Sequence, residues 1–406
     1  MTLPPTTRRG YLDWARGLAV LIMIQAHLLD SWTRLDARAS WTFDWAMIVA
    51  GFGAPMFLFL AGTSVALSAG SKWRRSGDVR AAARAVMRRG GWVFFLAFVF
   101  RVQAWILGWG APRTLLKVDI LNIMGPSIVA AAAVWGAFTS TRARCIAWGA
   151  VALGIAFLTP VVRSTPILDA LPDPIEAYLR PMPGLANFFL FPWSGFVFAG
   201  AIAGALLDEA RTPQQESRLN IRLFAAGGCL SAGAFAASFL PTLYARSEFW
   251  STSPAYFLLR TGILILLIPM AYAWQRVVTR SSFWSPIQQL GRTSLFIYWI
   301  HVEMVYGLIS LRIHKTLTHP QAWLAYVLFS LFMLACSLAK DRVVRWKRDK
   351  GQGTRDKGNG ERDAERNKAK ERAIASSRRS AEESPPLRLP FPGVRVSATT
   401  IARGSA

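Results

Sequence analysis

The sequence predicts an all-α fold, a polytopic bundle of about ten transmembrane helices with both termini in the cytoplasm. Three observations carry this expectation. Of 406 residues, 53% are hydrophobic and only 17% charged, and the mean hydropathy is +0.29, a balance foreign to soluble globules. Apolar windows of about 20 residues, the length that crosses a bilayer, recur along the chain as far as residue 340. The segments between them alternate between rich and poor in arginine and lysine.

The windows run roughly 14–33, 45–69, 90–109, 115–138, 143–161, 187–207, 222–241, 255–275, 289–310 and 320–339, with no evident internal repeat. The first carries polar residues inside an otherwise apolar run. The second (FGAPMFLFLAGTSVALS) has Gly51, Gly53, Ala54, Gly62 and Ser64, small residues that let another helix approach closely. Its Pro55 removes a backbone hydrogen bond and predicts a bend. A basic connection, SKWRRSGDVRAAARAVMRRG, leads into the third window. Within it Arg80, Arg84 and Arg88 recur at four-residue spacing, one guanidinium stripe if helical, and arginine grips phosphate bidentately. Lys117, Asp119 and Asn122 weaken the start of the fourth window. Cys145, Cys229 and Cys336 lie in or beside windows without metal-ligand spacing and read as packing residues, so no metal site is expected.

Basic residues set the orientation. With the N-terminus inside, the inner segments before residue 340 hold eighteen Lys/Arg and the outer loops nine, as the positive-inside rule requires. An even number of spans then returns the C-terminus to the cytoplasm. The N-terminal apolar run is too long for a cleavable signal peptide and lacks a small-residue cleavage site. Residues 341–406, with seventeen Lys/Arg against nine Asp/Glu, are too polar to repay folding entropy and are expected to form a basic disordered cytoplasmic tail after a membrane domain over 1–340. RVVRWKRDK, just inside the last window, suits anionic lipid head groups. Despite the +24 net charge, this topology argues against nucleic acid as a partner.

Polar residues inside membrane helices are costly and mark functional paths by default. Arg16 and His27, eleven residues apart, share one helix face about 16 Å apart at 1.5 Å per residue. Asp13, Asp30 and Ser31 lie near that face, and Gln25 points away. His27, Arg101, Asp119, Asn122, Arg260, His301 and Glu303 all favour the outer half of the membrane, which predicts a cavity lined by them. Arg101 should pair with Asp119 across the short hairpin at 110–114. His301 and Glu303 point about 160° apart on one helix, so His301 should face inward with Ser294 and Tyr298 while Glu303 contacts another span. The plainer reading makes Arg16 an anchor, His27 a bridge between helices and Arg101–Asp119 a structural pair.

Four motifs together, RRGYLDWARGLAVLIMIQAH, FGAPMFLFLAGTSVALS, LLKVDILNIMG and GRTSLFIYWIHVEMVYG, resemble bacterial relatives of heparan-α-glucosaminide N-acetyltransferase. These resemble the wider group of membrane acyltransferases that modify glycans, in which Arg-x10-His marks the first span. The likeness covers roughly residues 8–340, with Arg16, His27 and His301 at matching positions. Where many glycan acyltransferases carry Arg-x-x-Arg at the inner end of span three, this chain has Arg80, Arg84, Arg88 and Arg89.

The resemblance implies an acyl-CoA donor, acetyl-CoA first, on the cytosolic side and a saccharide or glycolipid acceptor on the other. The expected protein is a multi-pass transferase of the bacterial inner membrane, with acyl-CoA as co-substrate and no tightly bound cofactor. Arg16, Arg84 and Arg88 would hold donor phosphates, and Arg101, Asp119, Asn122 and Arg260 would line the substrate path. His27 would be general base or transient acyl carrier, oriented by Asp30, with His301 as second candidate. An imidazole suits this because its unperturbed pKa lies near neutrality. Arg101 or Asn122 would stabilise the oxyanion. The competing reading is a transporter or flippase for an anionic or glycan substrate. A non-catalytic partner in envelope assembly is a third. The acyl group, acceptor and oligomeric state stay open.

Overall fold

The protein is described by a computed structural model covering residues 9–108, 111–278 and 284–382. Helices form every long element. α1 (Gly10–Trp32) and α8 (Leu190–Glu209) are the most enclosed, and α4 (Val79–Gly108) and α9 (Pro213–Ala237) expose much of their length. The exposed positions are apolar: Trp92, Phe95 and Ile106 on α4, and Ile221, Phe224 and Phe235 on α9. Large apolar side chains on the outside of a helical bundle are what a lipid environment solvates. The remaining helices are α2 (Trp41–Ala50), α3 (Gly53–Ser76), α5 (Ile120–Ala137), α6 (Thr141–Ser164), the short α7 (Asp173–Leu179), α10 (Pro254–Val278), α11 (Pro286–Arg292), α12 (Ser294–Tyr306) and α13 (His319–Glu382).

Among the described residues, nine helical stretches are long and apolar enough to cross a membrane. The ninth predicted window, 289–310, is the exception. It is broken at Thr293 into α11 and α12, each shorter than a span. The pair nevertheless covers the depth of α1. At one end a Cβ on Gly291 would lie 1.8 Å from the carbonyl oxygen of Asp13, and one on Gly17 1.8 Å from that of Ile287, so only glycine permits this backbone contact. At the other end the side chains of Ser31 and Trp32 each donate to the Val305 carbonyl at 3.0 Å. α13 then runs back, because Ser337 accepts from Gln289 Nε2 at 2.9 Å and shares a 2.7 Å hydrogen bond with Thr293. The membrane unit therefore ends at the level where α1 begins.

Pro55 does bend the second span, and the break falls one turn before it, at Gly51–Phe52. A proline nitrogen cannot bond the carbonyl four residues back, so α2 and α3 part there. α3 packs against α8 through Gly62, Gly200 and Gly204. A Cβ on Gly200 would sit 1.8 Å from the Phe59 carbonyl oxygen, and Thr63 Oγ1 donates to the Gly200 carbonyl at 3.1 Å. α5 begins at Ile120, after a 3₁₀ turn over Pro112–Leu116, because Asp119 caps it. The Val118 N–H donates to the Leu185 carbonyl at 2.7 Å, and Val118, Ile123, Ala177 and Leu185 form a small separate core.

The chain divides into a unit over Met1–Ala339 and a second over Lys340–Ala406. Residues 341–382 continue α13 as helix, and 383–406 of the expected tail lie outside the described residues. The stretch is rich in Ala, Glu, Lys and Arg and has no proline between Pro320 and Pro385. Those residues favour helix without any packed core.

Candidate active site

The membrane unit encloses a cavity of about 1280 Å³. α1 supplies one wall through Arg16, Met23, Ala26, His27 and Asp30, a helical stripe that places Arg16 and His27 on one lining as their spacing predicted. Gln25 points away and donates to the Ala46 carbonyl at 2.8 Å. α3 adds Ser64 and Ser68, α4 adds Arg89 and Arg101, and the α5 entrance adds Lys117 and Asp119. α8 adds Trp193, and α12 adds Tyr298, Glu303 and Tyr306.

At its centre two imidazoles meet. His301 is fully buried, and its Nδ1 lies 2.8 Å from the Ile297 carbonyl oxygen. A carbonyl only accepts, so Nδ1 carries the proton and Nε2 of the neutral ring holds a lone pair. That Nε2 is 2.9 Å from His27 Nδ1, and the rings are stacked with centroids 5.1 Å apart and planes 2° from parallel. His27 Nδ1–H therefore donates to His301, leaving His27 Nε2 as an acceptor on the ring that lines the cavity. Tyr306 approaches the same ring edge-on at 5.5 Å.

The two ends of the cavity differ in chemistry. At one, Arg16 donates to Asp13 Oδ1 at 2.6 Å and to Ser64 Oγ at 2.8 Å, with Arg89 on the same lining. At the other, Arg101 donates to Asp119 across the hairpin, the pair the sequence predicted, with the side chains 12% and 13% exposed. Beside them, burial and then the Arg101 charge hold the Lys117 pKa below the ordinary lysine value. The Val118–Leu185 bonding brings Asn187 and Phe188 onto this end.

Several expected site residues are placed otherwise. His301 does not line the cavity but stands behind His27. Asp30 lines it but does not orient the imidazole, because Tyr306 donates to its Oδ2 at 3.2 Å and Arg38 lies 3.7 Å from its Oδ1. Asn122 is buried away from the lining, its Oδ1 accepting the Asp119 N–H at 3.0 Å and its Nδ2 donating to Tyr178 at 3.2 Å. Helix capping uses the group assigned to the oxyanion. Arg84 and Arg88 are exposed on α4, outside the lining, and Arg89 is the arginine of that run that reaches it. Arg260 also lies off the lining, 4.1 Å over the Tyr256 ring and 5.7 Å from the Phe52 ring beside the α2–α3 break. Glu303, expected to turn to another span, lines the cavity.

Lys117, Trp193 and Tyr306 were not assigned to the site from the sequence, and Arg89 entered only as one of the basic run at 71–90. For Arg89 a signal existed, since it falls on the same α4 face as Val93, Phe100 and Leu107. For Trp193 and Lys117 there was none without the tertiary contacts.

The described residues thus form a multi-pass helical membrane protein whose interior cavity joins an arginine end to an imidazole pair. Residues 8–235, more than half of the chain, match the family described as heparan-alpha-glucosaminide N-acetyltransferase, catalytic, and the chain belongs to that family. A comparison with curated proteins finds no match. Family membership places the protein among the membrane acyltransferases. The match includes α1, the Arg101–Asp119 hairpin and α8, and it ends before α12.

Proposed function

We propose that this protein moves an acetyl group from acetyl-CoA, bound at the Arg16 end, to an amine or hydroxyl of a saccharide entering from the Asp119 end. The observation that carries the reading is the hydrogen-bonded His27–His301 pair, with His27 on the lining of a cavity whose two ends differ in chemistry. Arg16 and Arg89, with Ser64 and Ser68, suit donor phosphates through charge-assisted hydrogen bonds. The pantetheine arm of coenzyme A is long enough to carry a thioester from there to His27.

In this scheme His27 Nε2 takes the proton of the acceptor N–H or O–H as the acceptor attacks the thioester carbonyl. The new C–N or C–O bond forms, the C–S bond breaks, and the leaving thiolate takes that proton from Nε2. The imidazolium is stabilised while it lasts, because its Nδ1–H already faces the lone pair of His301. His301 is thus a positioning residue. The basic bias of the segments on the α1-start side supports a cytosolic Arg16 end with the acceptor on the other side of the membrane.

The test is acetyl transfer by the full-length protein in liposomes, with labelled acetyl-CoA and glucosamine. His27→Gln keeps size but cannot cycle a proton near neutrality, and a general base contributes about 10²–10⁴-fold. Transfer should fall by that much with acetyl-CoA binding unchanged. His301→Ala should lose about tenfold, the worth of one orienting hydrogen bond. Wild-type transfer by His27→Gln would sink the assignment.

A further inference from the structure

Among the buried side-chain atoms of the described residues that find no hydrogen-bond partner, three belong to residues that line the cavity: Arg101 Nε, Trp193 Nε1 and Glu303 Oε1. They come from three helices, α4, α8 and α12, all of which line the one cavity, and Arg101 ties the group to Asp119. Trp299, one turn before Glu303 on α12, donates to Gln103 on α4 at 2.6 Å, which sets that face of α12 against the Arg101 stretch of α4. Trp193 packs edge-on against Phe188 at 5.0 Å, on the segment held there by Val118.

A buried polar atom without a partner is expensive, and natural proteins leave few of them. The pattern here is specific. Arg101 spends a terminal nitrogen on Asp119 and keeps Nε aside, so the orphan is not a missing ion pair. The three atoms are two donors and one acceptor. A hydroxyl group is the common ligand that both accepts and donates, and a ring bearing several also offers C–H faces to an indole. A carboxylate or phosphate would suit Arg101 and Trp193 but meet repulsion from Glu303. A plain alkyl group would leave all three unsatisfied.

We propose that Arg101 Nε, Trp193 Nε1 and Glu303 Oε1 form a subsite for the ring hydroxyls of the acceptor. The assignment rests on the saccharide acceptor of the proposed function and adds the residues that select it. Glu303 accepts from a hydroxyl, while Arg101 and Trp193 donate to hydroxyl oxygens. The reacting amine is left to His27.

The test is equilibrium binding to full-length protein in detergent of two amines, glucosamine and cyclohexylamine, which lacks ring hydroxyls. Wild type should bind glucosamine at least about tenfold more tightly, the worth of one hydrogen bond to a charged group. Glu303→Ala should erase most of that preference by weakening glucosamine alone, and Trp193→Phe, which keeps an aromatic ring, should weaken glucosamine about fivefold. Unchanged thermal midpoint and acetyl-CoA binding guard against misfolding, and Trp193→Phe carries the test if Glu303→Ala does not fold. No preference in wild type, an intact preference in both variants, or equal losses for both amines would overturn the subsite. If the preference holds while wild type transfers no acetyl group, the acetyltransferase reading fails and the subsite stands.

Discussion

At one end of the cavity Arg16 meets Asp13 and Ser64 at short range, and Asp13 in turn lies 4.0 Å from Arg292 of α11. At the other end Arg101 has Asp119, yet its Nε, with Glu303 Oε1 and Trp193 Nε1, is left without a protein partner. Both ends carry buried charge, so charge alone does not separate framework from ligand site. Satisfaction of hydrogen bonds does. At the Arg16 end the oxygens that balance the arginine come from α1 and α3, which ties those helices together. At the Asp119 end three side-chain atoms of cavity-lining residues stay without a protein partner, and the proposed acceptor subsite rests on them.

The largest break in this comparison should come from Asp119→Ala. It removes the partner of a mostly buried arginine and the cap of α5 at once. Breaking such a pair costs about 3–5 kcal/mol, so the protein should lose that much stability in detergent, with His27 chemistry failing only through unfolding. A stable Asp119→Ala protein would mean that Arg101 finds another anion, Glu303 on the same lining being the candidate.

Arg16→Ala should act on binding more than on folding. With Asp13 still facing Arg292, the helix contact survives, and acetyl-CoA affinity should fall about tenfold, a charge-assisted hydrogen bond lost. Arg16→Lys should recover part of it as a point charge without the planar fork. Equal acetyl-CoA affinity in wild type and Arg16→Ala would move the donor site elsewhere.

The smallest effect is expected from Arg84→Ala and Arg88→Ala. Both side chains are exposed and off the lining, so donor affinity should change less than about twofold, the scale of exposed charges. A tenfold loss at either would extend the donor site onto the basic face of α4 and weaken the case for Arg89.

The helical character and the span positions were legible because a bilayer demands about 20 apolar residues for each crossing, a signal carried locally. The α1 stripe was legible for the same reason, since eleven residues on one helix fix the relative direction of Arg16 and His27. Arg101 with Asp119 was legible from a short hairpin. The break at Thr293 was not, because nothing local in TSLFIYWIHV forbids one helix, and the contacts of Thr293 and Gln289 with Ser337 come from α13. Residues 341–382 carry two local signals, a charge that opposes a packed core and a helix propensity that α13 follows.

Sequence alone determined that this chain spans the membrane many times and sets an arginine and a histidine on one face of its first helix. Periodicity and hydropathy are properties of neighbours along the chain. Only the tertiary structure decided which group orients His27. Asp30 is one turn away and was the local candidate, but α12 lies across the bundle and brings His301 to 2.9 Å. Likewise Asn122, Arg84, Arg88 and Arg260 left the lining, and Glu303, Trp193 and Arg89 entered it. Which polar atoms are consumed by caps and pairs, and which remain for a ligand, depends on contacts between helices far apart in sequence.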